Sequence, residues 1–197
     1  MFSSKMAVFS LAGLLLVPAF ATDSSAAPRR ITAVVRDTVL QFPRVEGSNL
    51  EGRKFALPAD FEGEYNVVLV AFRREQQEDV ETWVPFLREQ KLSERGVRVY
   101  ELPTLSRSYR LMRGFIDGGM ARGIPDKSTR ETTITLYIDK SPFKRALAIA
   151  TEDRIVALIV ARDGRVLWRA DGRFTPGLGA ELAAAMDALV GAQENRD

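Results

Sequence analysis

The sequence predicts an α/β fold: a three-layer sandwich in which helices cover both faces of a mixed β-sheet, with an N-terminal β-hairpin leading into it. Three observations carry this expectation. Residues 67–72 and 155–160 are unbroken apolar runs rich in β-branched residues, as in strands buried on both faces. The first run stops at Arg73 and Arg74, and Val80, Trp83, Val84 and Leu87 then follow i, i+3, i+4, i+7 on one helix face. A strand feeding a helix in this way is the first half of a βαβ unit. Finally, Asp163-Gly164 ahead of Val166-Leu167-Trp168 predicts a tight turn and an antiparallel return strand.

The amino terminus reads as a secretory signal over residues 1–21. Lys5 supplies the positive charge, residues 6–17 the apolar core, and Ala19-Phe20-Ala21 a small-residue cleavage site, with cleavage expected after Ala21. An uncleaved N-terminal membrane anchor is the alternative. Residues 22–40 are a leader with an outlying strand from residue 31 to 40. The folded domain is expected over 41–191, with a frayed tail at 192–197. Within residues 42–58, glycines 47 and 52 flank the turn of the hairpin, and Lys54 to Leu57 form its return strand. Residues 60–64 are a loop before the central strand.

Pro85 lies inside the first helix and predicts a kink, because it lacks one backbone donor. Gly96 marks the stop after that helix. Residues 97–102 form a second buried strand ended by Pro103. Ser106 or Ser108 caps a helix over 109–120 that turns Leu111, Met112, Phe115 and Ile116 inward. Residues 123–126 read as loop. Ile134, Leu136 and Ile138 alternate in a strand over 132–138, and Ser141-Pro142 opens a short helix through residue 149. Asp171-Gly172 closes the return strand. A final helix from about Pro176 presents Leu178, Leu182, Met186 and Leu189 on one face.

Composition excludes several chemistries. The 197 residues contain no cysteine and no histidine, which removes thiol redox chemistry, disulfides, a Ser-His-Asp triad and Cys/His zinc sites. Neither a metal nor a cofactor is expected. A net charge of +2 with scattered arginines gives no footprint for nucleic acid. Membrane contact is expected only if the N-terminal segment is retained. Oligomeric state is left open.

The element order resembles the thioredoxin-like fold, specifically its redoxin and peroxiredoxin branch. The resemblance rests on the opening Phe42-Pro43…Leu50-Glu51-Gly52…Leu57 and on the late strand, Asp163-Gly164 turn and strand over residues 155–168. In that superfamily the turn after the central strand carries the redox cysteines. Here it reads Arg73-Arg74-Glu75-Gln76-Gln77-Glu78-Asp79, and residues 151–154 lack the usual proline. Phe72-Arg73 with Thr82-Trp83-Val84-Pro85-Phe86 is similar to a pattern of the ATP-synthase assembly-factor (ATP-ten) family. That resemblance implies a scaffold that binds other proteins during assembly.

The candidate binding residues are Arg73, Arg74, Trp83, Glu101 and Trp168, with no catalytic residue assigned. An arginine fork at the carboxyl end of the strand suits a carboxylate, on a partner or internally on Glu101. The bland alternative is a solvated turn whose charges end the strand. Trp83 reads as core or as an aromatic anchor, and Trp168 as edge packing or partner contact. The resulting expectation is a non-redox protein of the cell envelope that binds a protein partner as an assembly factor or chaperone. The alternative is an enzyme or binding protein for a small anionic ligand, using Arg73 and Glu101.

Overall fold

The computed structural model describes residues 39–194. The expectations for the signal, its cleavage and most of the leader and outlying strand lie outside these residues. Among the described residues, seven strands form one mixed sheet in the order β2-β1-β5-β4-β3-β6-β7. The strands are β1 (Val45–Asn49), β2 (Lys54–Leu57), β3 (Tyr65–Ala71), β4 (Val97–Ser106), β5 (Ile134–Ile138), β6 (Val156–Ala161) and β7 (Val166–Asp171). β3, β4 and β5 run parallel, while β6 lies antiparallel to β3 and β7 antiparallel to β6. The two apolar runs are therefore neighbours in the interior of the sheet. β1 is antiparallel to both β2 and β5.

Alternate residues of the strands feed two apolar layers. One holds Phe42, Phe61, Val68, Tyr100, Leu102, Leu136, Phe143 and Leu158; the other holds Val67, Leu69, Trp83, Ile159, Leu182 and Met186. Each such side chain contributes about 1.5–3 kcal/mol by leaving water. Buried Asn66 is satisfied by the Gly63 N–H and by donating to the Gly63 and Val160 carbonyls.

The segment after β3 departs from the expected single kinked helix. A 3₁₀ turn (Arg74–Gln76) leads into α1 (Gln77–Glu81), the chain breaks at Thr82-Trp83, and α2 (Val84–Glu89) restarts with Pro85 in its first turn. Proline at a helix start loses no bond, so the missing N–H divides the helix in two rather than bending one. Val84 is exposed as a result, whereas Val80, Trp83 and Leu87 stay buried.

β4 also outruns its expected end. It continues through Pro103 because Pro103 sits where pairing changes hands: Ala71↔Pro103 is the last pair with β3 and Thr104↔Leu136 the first with β5. Its burial alternates, with Arg98 exposed and Glu101 partly buried, so it is not enclosed on both faces.

The connection from β4 to β5 differs most. A 3₁₀ turn (Arg107–Met112), capped by Ser106, leads into α3 (Arg113–Gly123). α4 (Lys127–Thr132) follows where no helix was expected, its first turn held by the Asp126 carboxylate, which accepts the Thr129 N–H at 2.8 Å. Every residue from 107 to 132 is exposed or partly exposed. Leu111 and Phe115 are 99% and 76% exposed and Met112 is also in the open, contrary to the inward face expected of them; Ile116 is partly exposed, and Tyr109 stands in the open as well.

α5 (Lys140–Ala146) is capped by Asp139. Buried Arg169 of β7 donates to the Leu147 and Ala148 carbonyls just past α5 and forms a two-pronged pair with Asp171. α6 (Pro176–Glu194) carries Leu182 and Met186 into the second apolar layer and continues through Glu194. Among the described residues, no helix is long and apolar enough to cross a membrane.

Candidate functional site

Two places carry clustered polar chemistry. The first is the carboxyl end of β3, where the strand turns into the Arg74–Gln76 3₁₀ turn. Gln76 is buried, and its side-chain oxygen accepts the N–H groups of Phe72 at 2.7 Å and Arg73 at 3.2 Å. Its amide nitrogen donates to the Glu152 carbonyl at 2.8 Å. One side chain thus ties the turn after β3 to the loop before β6. Arg73 adds an ion pair across the same gap, to Asp153 at 2.8 Å, and Glu152 is held by Lys140 and by Lys144 at 2.9 Å. For Glu152, burial pushes the carboxyl pKa up, but the two lysines outweigh it and the net shift is downward.

This geometry redistributes the expected binding residues. Arg73 meets Asp153 rather than Glu101. Arg74 is exposed in the 3₁₀ turn. Glu101 lies partly buried on β4 beside Gln77 and Glu81 of α1; burial raises its pKa to about 7, with Glu81 adding to the shift and the Gln77 hydrogen bond opposing it. Trp83 is 0% exposed, its indole N–H donating to the Gly172 carbonyl at 3.1 Å, so it is core and offers no anchor. Trp168 is half-buried, its ring set edge-on against Trp83 at 6.2 Å between centroids, so edge packing describes it. Gln76 is not legible as a site residue in the sequence. A glutamine four residues past the end of an apolar strand is the only signal there, and it does not distinguish a staple from a surface residue.

The second place is the outer half of the sheet. There β1, β2 and β5 present Glu46, Ser48, Lys54, Thr135 and Tyr137 toward the 107–123 segment. Arg113 donates to the Ser48 hydroxyl and pairs with Asp117 at 3.3 Å, and the Tyr137 hydroxyl donates to Asp117 at 2.8 Å. Burial, reinforced by the Asp117 carboxylate, pushes the Tyr137 hydroxyl pKa up. A cleft of ≈ 390 Å³ opens here, lined among others by Lys54, Asp60, Arg110, Arg113 and Tyr137. Arg113 and Asp117 share one side of α3, and Phe115 lies about 200° from each around the helix, on the opposite side. α3 therefore rests on the sheet through Arg113 and Asp117, with Ile116 and Met120 partly buried, and leaves Phe115 in water. Among the described residues no cluster of acids is placed to hold a metal ion.

A sheet of this order, with a helix following its central parallel strand and an antiparallel pair beyond, is a thioredoxin-like fold. Solved structures agree. BsSco, a member of the Sco family of cytochrome c oxidase assembly proteins, superposes with a TM-score of 0.55 at 11% identity, over 80% of this chain and 98% of that one. A putative electron transfer protein from Aquifex aeolicus VF5 gives 0.54 at 10% identity, over 76% and 97%. A thiol:disulfide interchange protein from Bacteroides sp. gives 0.50 at 19% identity, over 78% and 90%. No protein-family model matches the chain, and no curated protein matches it. The likeness shows the fold, and this chain holds it without a cysteine.

Proposed function

We propose that this is a non-redox, thioredoxin-like protein of the cell envelope that binds another protein, as an assembly factor or chaperone. The observation that carries this reading is the 107–132 segment, in which no residue is buried and Tyr109, Leu111, Met112 and Phe115 stand exposed. The rest of the described chain sends most of its large apolar side chains into two layers. Uncovered apolar clusters of this kind mark interaction surfaces. Thiol chemistry is closed to a chain without sulfhydryls, and Gln76 and Arg73 tie the turn after β3 to the loop before β6.

The envelope assignment draws on Lys5, the apolar residues 6–17 and Ala19-Phe20-Ala21. The Phe72-Arg73…Trp83…Pro85-Phe86 resemblance makes assembly the form of binding we favour. A reading based on a small anion held by Arg73 and Glu101 loses support, because Arg73 is paired with Asp153.

The test is site-specific photo-crosslinking in the native envelope fraction. A crosslinker at Leu111 should give a discrete protein adduct that disappears with Phe115→Asp. A crosslinker at Ala184, exposed on α6, should not give it. The same adducts from both positions, or none from Leu111, would overturn the proposal.

A further inference from the structure

The apolar side chains of the 107–123 segment alternate with arginines, and this defines the chemistry of what covers them. The segment carries Arg107, Arg110, Arg113 and Arg122 against one acid, Asp117. Asp117 is already engaged by Arg113 and by the Tyr137 hydroxyl. Arg107, Arg110 and Arg122 are exposed, and among the described residues no carboxylate pairs with them. Arg110 and Arg113 also line the ≈ 390 Å³ cleft together with Lys54. Of the acids at that cleft, Asp60 accepts the Ala56 N–H at 2.7 Å, and Glu46 is exposed to solvent.

Resting on the protein-binding reading, we infer that this surface takes an acidic, apolar-faced segment of the partner protein. Leucine or aromatic side chains of that segment pack on Tyr109, Leu111, Met112 and Phe115. A carboxylate enters the cleft, where Arg110 supplies a fork of donors and Lys54 a second positive charge. An anionic bilayer would engage the same exposed apolar and basic residues. A bilayer, however, offers nothing that fills a concave cleft, whereas a side chain of a folded or folding segment does.

The experiment is selection of displayed random-sequence peptides on the full chain, alongside co-sedimentation with vesicles of phosphatidylglycerol and phosphatidylcholine. Selected peptides should be enriched in Asp and Glu next to Leu, Phe or Trp. A synthetic peptide from the pool should bind more weakly as salt rises. It should bind Arg110→Glu roughly ten-fold less tightly, as for loss of a charge complement, and Phe115→Asp no better. Both substitutions are at exposed positions, and circular dichroism confirms that each variant is folded. Selection of neutral or basic apolar peptides that need Phe115 but ignore Arg110 would overturn the inference and leave the protein-binding reading standing. Failure to select any peptide would also overturn it. If the vesicles then sediment the protein in a Phe115-dependent way, the reading falls as well and a lipid surface is the occupant.

Discussion

Gln76 meets three backbone groups at once: its oxygen faces the Phe72 and Arg73 N–H groups and its nitrogen faces the Glu152 carbonyl. An alanine there would leave those groups without their side-chain partner. Gln76→Ala is expected to lower unfolding free energy by about 1–3 kcal/mol, the range for orphaning a buried polar group, read from urea denaturation. Glu101 sets a pH dependence. Its carboxyl has a pKa of about 7 in the folded chain against an ordinary value of 4.5, so the native state holds its proton more tightly than the unfolded chain does. Its stabilisation is complete below pH about 4.5 and is lost as pH rises through about 7. The melting temperature should fall across that interval, and Glu101→Gln should flatten the fall. The lowered pKa values of Glu62 and Glu152 act below the interval, removing stability as pH drops. A wild-type profile that is level from 4.5 to 7 would contradict the assignment to Glu101.

At the scale of the element, the 107–123 segment shows how apolar side chains can stay in water when their neighbours dock on polar groups. Leu111, Met112, Phe115 and Ile116 have the spacing of a buried stripe. The sheet beneath offers Ser48, Thr135 and Tyr137, however, and these bind a polar side better than an apolar one. Leu111→Asp and Phe115→Asp should therefore shift stability by no more than about 0.5 kcal/mol, as for exposed positions, while abolishing partner capture. Trp83→Ala, by contrast, empties a fully enclosed site and should cost about 3–5 kcal/mol. Parallel urea titrations of the three variants decide it, and a large loss from Phe115→Asp would mean that the ring is covered. α4 illustrates the reverse case. Its Asp126 cap was present in the sequence, but after Gly123-Ile124-Pro125 a helix of six residues left no periodicity to find.

At the scale of the whole molecule, stability is distributed unevenly. β3, β4 and β6 lie inside the sheet and bridge the two apolar layers, whereas the 107–123 segment is held chiefly by Arg113, Asp117 and their partners. Native-state hydrogen exchange should open 107–123 at low free energy and β3 and β6 only near global unfolding. Equal protection of the two regions would show that the segment is packed rather than merely resting on the sheet. The outer strands depend on close approach: a Cβ at Gly47 would come within 2.7 Å of Leu136 Cδ2 and 2.9 Å of the Thr135 carbonyl. This is why β1 can lie against β5.

The sequence by itself determined the central sheet, the helices that follow β3 and close the chain, the Asp163-Gly164 turn, and the exclusion of thiol chemistry. Each of these depends on local pattern or on residue types, which a linear text records directly. Only the tertiary structure decided that Arg73 faces Asp153 and not Glu101, that Gln76 ties two loops together, that Trp83 is enclosed, and that Leu111, Met112 and Phe115 stand in water. Those outcomes depend on what lies opposite a side chain from a distant part of the chain. Helical periodicity reports that a face is apolar, but the polarity of the surface it meets decides whether that face is buried.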